Sequence, residues 1–253
     1  MKDNHIDEQK MPLTDHLEEL RTRFIRILIA LGIGFVLCFF VKERIFSIII
    51  YPLSDIMPDG SAMIFTSLPE AFFTYLKVSL FAAIFITSPY TLYQIWKFVS
   101  PGLYVSEKKY VVPFVLLSTL FFLGGAFFAY FLVFPLGFAF FLAFATEFIK
   151  PMLSMREYLG FSMKLLLAFA IIFELPIFMF FLAKIGLVNS QVLKKRRKYA
   201  ILIIFAVAAT LTPPDVVTQT MMAIPLILLY ELSILVVRKG EKNKDIQFDN
   251  EKQ

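Results

Sequence analysis

Long apolar stretches separated by short polar segments dominate the hydrophobic pattern of this chain. Six such stretches lie at 24–41, 71–88, 111–134, 161–183, 199–211 and 221–237. About 20 apolar residues, rising ~1.5 Å each, cross the ~30 Å hydrocarbon core of a bilayer. We therefore predict an all-α, polytopic membrane protein with six transmembrane helices. The last two stretches are short for this purpose, and a re-entrant hairpin is the alternative interpretation for that pair.

The polar ends of the chain complete a single membrane domain spanning residues 1–253. Residues 1–23 contain apolar positions repeating every three or four residues, which predicts a short amphipathic helix lying at the membrane surface. Pro12 suits the first turn of that helix. Residues 24–237 form the six-helix domain, and the charged segment 238–253 is predicted to be a disordered tail.

Composition and charge support a membrane location and set the orientation. The 253 residues are 58% hydrophobic and only 18% charged, whereas soluble domains are about 25% charged. Of the 25 Lys and Arg residues, 19 lie in the two terminal tails and in the loops 97–109 and 184–198, which are expected on the same side of the membrane as the tails. The other six lie elsewhere. This bias predicts that both termini are cytoplasmic. Because the charges border membrane segments, nucleic acid is not expected as a partner.

The sequence gives no support for an enzyme, a cofactor or a metal site. There is one cysteine, Cys38, and there are two histidines, His5 and His16, which makes a metal cluster implausible. No phosphate-binding glycine loop, zinc-protease motif or serine nucleophile elbow is present.

Two cytoplasmic acids stand out beside the basic clusters. Glu19 lies in MPLTDHLEELRTRF, where an i,i+4 ion pair with Arg23 is the structural alternative to a binding role. Glu107 lies in SPYTLYQIWKFVSPGLYVSEKKYVVPF, and it is the single acid between Glu70 and Glu147. An acid in a basic loop is a candidate for binding a cation, and a surface pair with the adjacent lysines is the alternative.

A third acid, Glu174, lies inside the apolar stretch LLLAFAIIFELPIFMFFLA. A central charged residue costs roughly 2.5–3.5 kcal/mol on insertion scales, so such a residue is a functional candidate by default. Pro176 is expected to kink this helix. A structural hydrogen bond to another helix is the alternative role for Glu174.

A polar turn and a proline-rich loop lie on the predicted outer side. In LTPPDVVTQTMMAIPLILLYE, Thr212 and Asp215 could cap the next helix, while Gln219 could hydrogen-bond to a partner helix. The first outer loop, 42–70, contains Pro52 and is expected to cap the outer face.

Together, HLEELRTR, SPYTLYQIWKFVSPGLYVSEKKYVVP, AFAIIFELP and LTPPDVVTQTMMAIPLILLYE resemble the TatC family, the multi-spanning subunit of the twin-arginine protein translocase. The resemblance covers the chain from about Pro12 to Val237. It implies a receptor that binds signal peptides carrying two adjacent arginines on folded cargo. It also implies an oligomeric complex with TatA-type and, where present, TatB-type single-span partners, driven by the proton-motive force in the cell membrane.

The resemblance also implies roles for individual residues. Glu19 and Glu107 match the signal-recognition positions, with Pro12, Leu20 and Arg21 in the same motif. Carboxylates are suited to this role because they accept guanidinium groups in bidentate fashion. The intramembrane acid of the family is matched by Glu174, the partner-docking turn by Thr212, Asp215 and Gln219, and a structural loop position by Pro52.

Two other functions remain as alternatives from the residues alone. A proton-coupled small-solute transporter would use Glu174 and would need further polar groups lining a path through the membrane. A scaffold that merely clusters membrane proteins would make the cytoplasmic acids dispensable.

Overall fold

The computed structural model describes residues 13–57, 63–99, 111–146, 151–212 and 215–250. These ranges are helical apart from turns and one isolated bridge, which confirms the all-α prediction. Five helical segments are long and apolar enough to cross a membrane: Thr14–Phe40, Glu70–Val99, Val112–Leu142, Met155–Lys184 and Val216–Glu241. The chain is therefore a polytopic membrane protein, and the count of six spans stays a prediction.

Helix α1 runs without a break through Leu13–Phe40. The predicted surface segment and the first membrane helix are therefore one continuous helix, and the boundary at residue 23 stays a prediction. The segment contains neither proline nor any glycine before Gly32, so nothing in the backbone interrupts the hydrogen-bond ladder once the helix has started.

Helix α2 (Lys42–Ser54) lies in the predicted first outer loop and precedes the long helix α3 (Glu70–Val99). Helix α4 (Val111–Phe128) continues through a π-helical turn at Ala129–Val133 into α5 (Phe134–Leu142). The third helical segment thus extends eight residues beyond its predicted end at residue 134, because the following sequence PLGFAFFL is also apolar.

The fourth predicted span is divided into α6 (Met155–Phe173) and α7 (Leu175–Lys184), with Glu174 at the junction. Pro176 explains the interruption, since it has no N–H to donate to the carbonyl four residues earlier. The kink expected from Pro176 is thereby confirmed as a break in the helix.

Short helix α8 (Ser190–Lys195) leads into α9 (Arg197–Leu211), which has 15 residues and spans only ~22 Å. Helix α10 (Val216–Asn250) has 35 residues, so the expectation of a short last helix is wrong. The helix continues past residue 238, where the sequence analysis predicts a disordered tail. Residues 238–250 contain one arginine and three lysines and no proline, and Lys and Arg extend an existing helix at little cost.

The helices pack side by side with two distinct ends. Helix α1 packs along α3, α4 along α6, and α10 along both α7 and α9. At the "basic end", the ring of His16 stacks on that of Phe98, and the Ser190 backbone N–H donates to Glu241 over 2.8 Å. At the opposite, "cap end", Ile64 pairs with Ser154, which joins the segments before α3 and α6.

Candidate functional site

Glu19 lies in the second turn of α1, at the basic end, and is paired with Arg23 one turn later. The Arg23 Nε donates to Glu19 Oε1 over 2.9 Å, and Nη2 donates to the same oxygen. Arg23 is 9% exposed. The i,i+4 pair raised as the structural alternative is therefore present.

Arg23 also joins α1 to α3, which the sequence did not predict. Its Nη1 donates to Gln94 Oε1 over 3.2 Å. The other carboxylate oxygen of Glu19, Oε2, is buried and has no hydrogen-bond partner among the described residues. An unpaired buried oxygen on an acid costs free energy, so Glu19 retains the capacity to accept a further donor.

The remaining predicted signal-binding residues are exposed or lie outside the described ranges. Leu20 is 45% exposed and Arg21 is exposed as well. Pro12 and Glu107 fall outside the described residues. Around Glu19 an open pocket presents acids and arginines together, lined by Asp15, Glu18, Glu19, Thr22, Arg23 and Arg26.

Glu174 lies at the break between α6 and α7, about 15 Å from the end of the ten-residue α7. Ser118 of α4 is the polar side chain beside its carboxyl group. Ser118 in turn accepts from Trp96 Nε1 of α3 over 2.8 Å. Glu174 Oε1 is buried without a hydrogen-bond partner in the described part of the chain, so a structural hydrogen bond to another helix stays an alternative role for this acid.

In the polar turn between α9 and α10, the side chains of Thr212 and Asp215 form hydrogen bonds with groups close to them in the sequence. Thr212 is buried and donates to the Ala208 carbonyl over 3.0 Å. Asp215 accepts from the Thr218 N–H over 2.7 Å and from its hydroxyl, which is a helix cap. These hydrogen bonds from Thr218 hold the pKa of Asp215 below its usual value.

Gln219 connects the two helices of this turn. Its Nε2 donates to the Phe205 carbonyl of α9 over 3.0 Å. One amide N–H thus serves an intramolecular bond between α9 and α10, and a bond from Gln219 to a partner helix stays a prediction.

Pro52 lies within α2 and is buried. Because proline has no N–H, the carbonyl of Ile48 lacks its helical donor, and the Tyr130 hydroxyl of the π-helical turn donates to it over 2.6 Å. The Tyr158 hydroxyl of α6 donates to the next carbonyl, that of Ile49, over 2.8 Å. Pro52 thereby exposes backbone that ties α2 to the rest of the cap end.

A buried acid that the sequence analysis missed, Glu70, joins the two segments at the cap end. Its Oε2 accepts from the Thr66 N–H and hydroxyl over 2.6 and 2.9 Å. Its Oε1 accepts from the Ser154 hydroxyl over 3.2 Å and from the Arg156 N–H over 3.1 Å. Its place in the first turn of a helix after a Thr-Ser pair was the available signal.

No group of three or more histidine, cysteine, aspartate or glutamate side chains within the described ranges could hold a metal ion.

These features define a polytopic helical membrane protein with an acid-containing pocket at its basic end and a half-buried acid at a helix break. Residues 15–225 match the model of the family described as Sec-independent protein translocase protein (TatC). The chain belongs to this family.

Relatives and solved structures agree with that assignment. The chain is 56% identical over 239 residues to the Sec-independent protein translocase protein TatC of Desulforapulum autotrophicum, covering 94% of this chain and 88% of the relative. It is 46% identical to that of Magnetococcus marinus, with coverages of 94% and 88%. A crystal structure of the twin-arginine translocase receptor TatC is similar with a TM-score of 0.81 at 41% identity, covering 89% of this chain and 99% of that one.

Proposed function

We propose that this chain is the receptor subunit of a twin-arginine protein translocase, lying in the cytoplasmic membrane with both termini in the cytoplasm. It binds the signal peptides of folded cargo at its basic end, where Glu19 and Glu107 accept the two guanidinium groups. Leu20, Arg21 and Pro12 shape the surroundings of that site. In this proposal the chain takes part in protein transport and does not act as an enzyme.

The observation that carries the proposal is the unsatisfied oxygen of Glu19. A buried carboxylate oxygen without a donor favours binding of a cationic N–H group, and a guanidinium supplies several such groups in one plane. The open pocket around Glu19 gives a peptide access from the basic end.

The apolar part of the signal and the partner proteins would contact the membrane-embedded surface. Glu174 is a suitable contact for a polar group on a single-span helix, because its Oε1 lacks a partner and a polar bond between helices in lipid is favourable. We assign docking of TatA-type and TatB-type partners to the turn containing Thr212, Asp215 and Gln219, in an oligomeric complex driven by the proton-motive force.

Site-specific crosslinking of a twin-arginine signal peptide to the full chain in membranes tests the proposal. Glu19→Gln and Glu107→Gln are each expected to abolish the crosslink, because a neutral amide lacks the charge that attracts a guanidinium. The matched control is Glu157→Gln, an exposed acid at the cap end, and it is expected to crosslink normally. Normal crosslinking by the Glu19 and Glu107 variants would refute the assignment.

A further inference from the structure

A basic segment that has no part in the proposed signal-peptide site connects α8 to α9 at the basic end. Residues 194–198 read Lys-Lys-Arg-Arg-Lys, and all five side chains are exposed. From Leu175 to Pro214 the sequence contains no aspartate or glutamate. Residues 194–198, here called the basic patch, therefore have no acid in the neighbouring sequence to balance their charge.

Two carboxylates from α10 lie beside the basic patch, and both already have partners. Glu231 accepts from Arg197 Nη2 over 2.7 Å. Glu241 accepts from the backbone N–H and from the hydroxyl of Ser190 at the start of α8. Among the described residues, no acid forms an ion pair with the other four cations of the patch, which are Lys194, Lys195, Arg196 and Lys198.

Hydrogen bonds to α10 hold the patch at the level of the membrane surface. The membrane-crossing segment Met155–Lys184 ends shortly before the patch, and Val216–Glu241 ends at the residue that binds Ser190. The Tyr230 hydroxyl of α10 also donates to the Leu193 carbonyl over 2.9 Å. The cations therefore lie near the lipid headgroups, within the ~8 Å range over which exposed charges interact in physiological salt.

Apolar side chains exposed in the same part of the chain favour a lipid as the partner. Leu187 is 72% exposed and Val192 is 40% exposed. Exposed apolar groups next to cations are typical of surfaces that lie in the membrane interface. Tyr199, in the first turn of α9, is exposed as well, and tyrosine is enriched at the level of the headgroups. An anionic phospholipid supplies both partners that this surface lacks, a negative phosphate and an apolar chain.

We propose that the basic patch binds anionic phospholipids through the exposed cations Lys194, Lys195 and Arg196. Lysine and arginine form charge-assisted hydrogen bonds with phosphate oxygens, and basic clusters next to a membrane helix attract anionic lipids. Leu187 and Val192 contact the acyl chains. This lipid surface is separate from the signal-peptide site and goes beyond the proposed function.

Native mass spectrometry of the purified full chain in detergent tests the inference, with phosphatidylglycerol and phosphatidylcholine of identical acyl chains added in separate titrations. The wild type is expected to bind phosphatidylglycerol about tenfold more tightly, because each cation near the surface contributes up to about fivefold to the attraction of anionic lipid. This preference is expected to disappear in a variant combining Lys194→Gln, Lys195→Gln and Arg196→Gln. A patch variant with the wild-type preference would refute the assignment.

The matched control removes two lysines and one arginine from exposed positions outside the patch, through Lys77→Gln, Lys164→Gln and Arg44→Gln. It has the same net charge as the patch variant and is expected to keep the wild-type preference. If the control loses the preference as fully as the patch variant does, net charge alone explains the effect and the inference is overturned.

Two competitors distinguish a lipid from other anions that could bind the patch. Glycerol phosphate has the phosphate without acyl chains, and a hexaglutamate peptide represents an acidic protein segment. At a concentration equal to that of phosphatidylglycerol, neither is expected to displace it, because neither can make the apolar contacts. Displacement by either one would assign the patch to a soluble anion or to an acidic protein segment, and the lipid assignment would be wrong.

The salt dependence of the wild type decides the question even if the variants do not purify. Because salt screens exposed charges, the preference for phosphatidylglycerol is expected to shrink as the ionic strength rises. A preference that does not change with salt, or equal binding of the two lipids at low salt, overturns the inference. The proposed function is tested separately, by signal-peptide crosslinking at Glu19 and Glu107, so the two can fail independently.

Discussion

Gly125 in α4 allows an unusually close approach to α6, and replacing it with alanine is expected to destabilise the protein. A Cβ at this position would lie 2.5 Å from the Phe169 carbonyl oxygen and 2.9 Å from the Phe173 Cβ. Ordinary contact begins at 3.4 Å, so the new methyl group lies about 0.9 Å too close to the Phe169 carbonyl oxygen. The obstructing atom is backbone and cannot rotate away, so the two helices must separate.

The magnitude follows from two opposing effects. Overpacking a well-packed site costs about 1–3 kcal/mol, while replacing glycine with alanine inside a helix favours folding by roughly 0.5–1 kcal/mol. The net loss for Gly125→Ala is expected to be about 1–2 kcal/mol, which for a chain of this size lowers Tm by about 3–6 °C.

Thermal unfolding of the purified chain in a mild detergent measures this effect, and Gly124→Ala is the matched control. Among the described residues, no atom outside the helix's own backbone lies within 4 Å of a Cβ built at Gly124. Only the favourable effect of alanine on the helix therefore applies, and the Tm of Gly124→Ala is expected to be unchanged or slightly raised. A Gly125→Ala protein that melts at or above Gly124→Ala would refute the close-packing argument.

Three further predictions concern individual hydrogen bonds. Gln219→Leu removes the bond between α9 and α10 and should cost about 0.6 kcal/mol, typical of polar pairs in membranes, measurable by steric-trap or denaturant unfolding in detergent. Because the pKa of Asp215 is lowered in the folded chain, its cap with Thr218 contributes its full stability at pH values above about 4, the pKa of aspartate in the unfolded chain. Its contribution is lost as pH falls through the lower folded pKa, so the Tm difference between wild type and Asp215→Ala should vanish in strong acid. Glu70→Gln should speed hydrogen exchange in the segments before α3 and α6, while the exposed Glu157→Gln should not.

The apolar pattern predicted the helical class because membrane helices need long uninterrupted apolar runs. The break at Glu174 was equally predictable, since Pro176 cannot continue the hydrogen-bond ladder. Helix ends were harder to predict. The tail after residue 238 has no apolar pattern, yet it remains helical because it extends a helix that has already formed.

The candidate site was predictable in its acids but not in its contacts. The i,i+4 spacing of Glu19 and Arg23 predicted their pair, because it depends on one helix alone. The bonds from Arg23 to Gln94 and from Trp96 to Ser118 join different helices, so no local pattern encodes them. The Tyr130 bond to the carbonyl freed by Pro52 likewise joins residues 82 positions apart.

The bonds of Glu70 and the pairing of Ile64 with Ser154 fasten α3 to α6 at one extremity. Because the two helices are held together at the cap end, a change in the angle between them separates their opposite ends more than the joined ends. Helix α3 has 30 residues and is ~45 Å long, so a tilt of about 5° at the joint moves its far tip by roughly 4 Å. Any widening between these helices is therefore amplified towards the tip that carries Gln94, the residue that holds Arg23 beside Glu19.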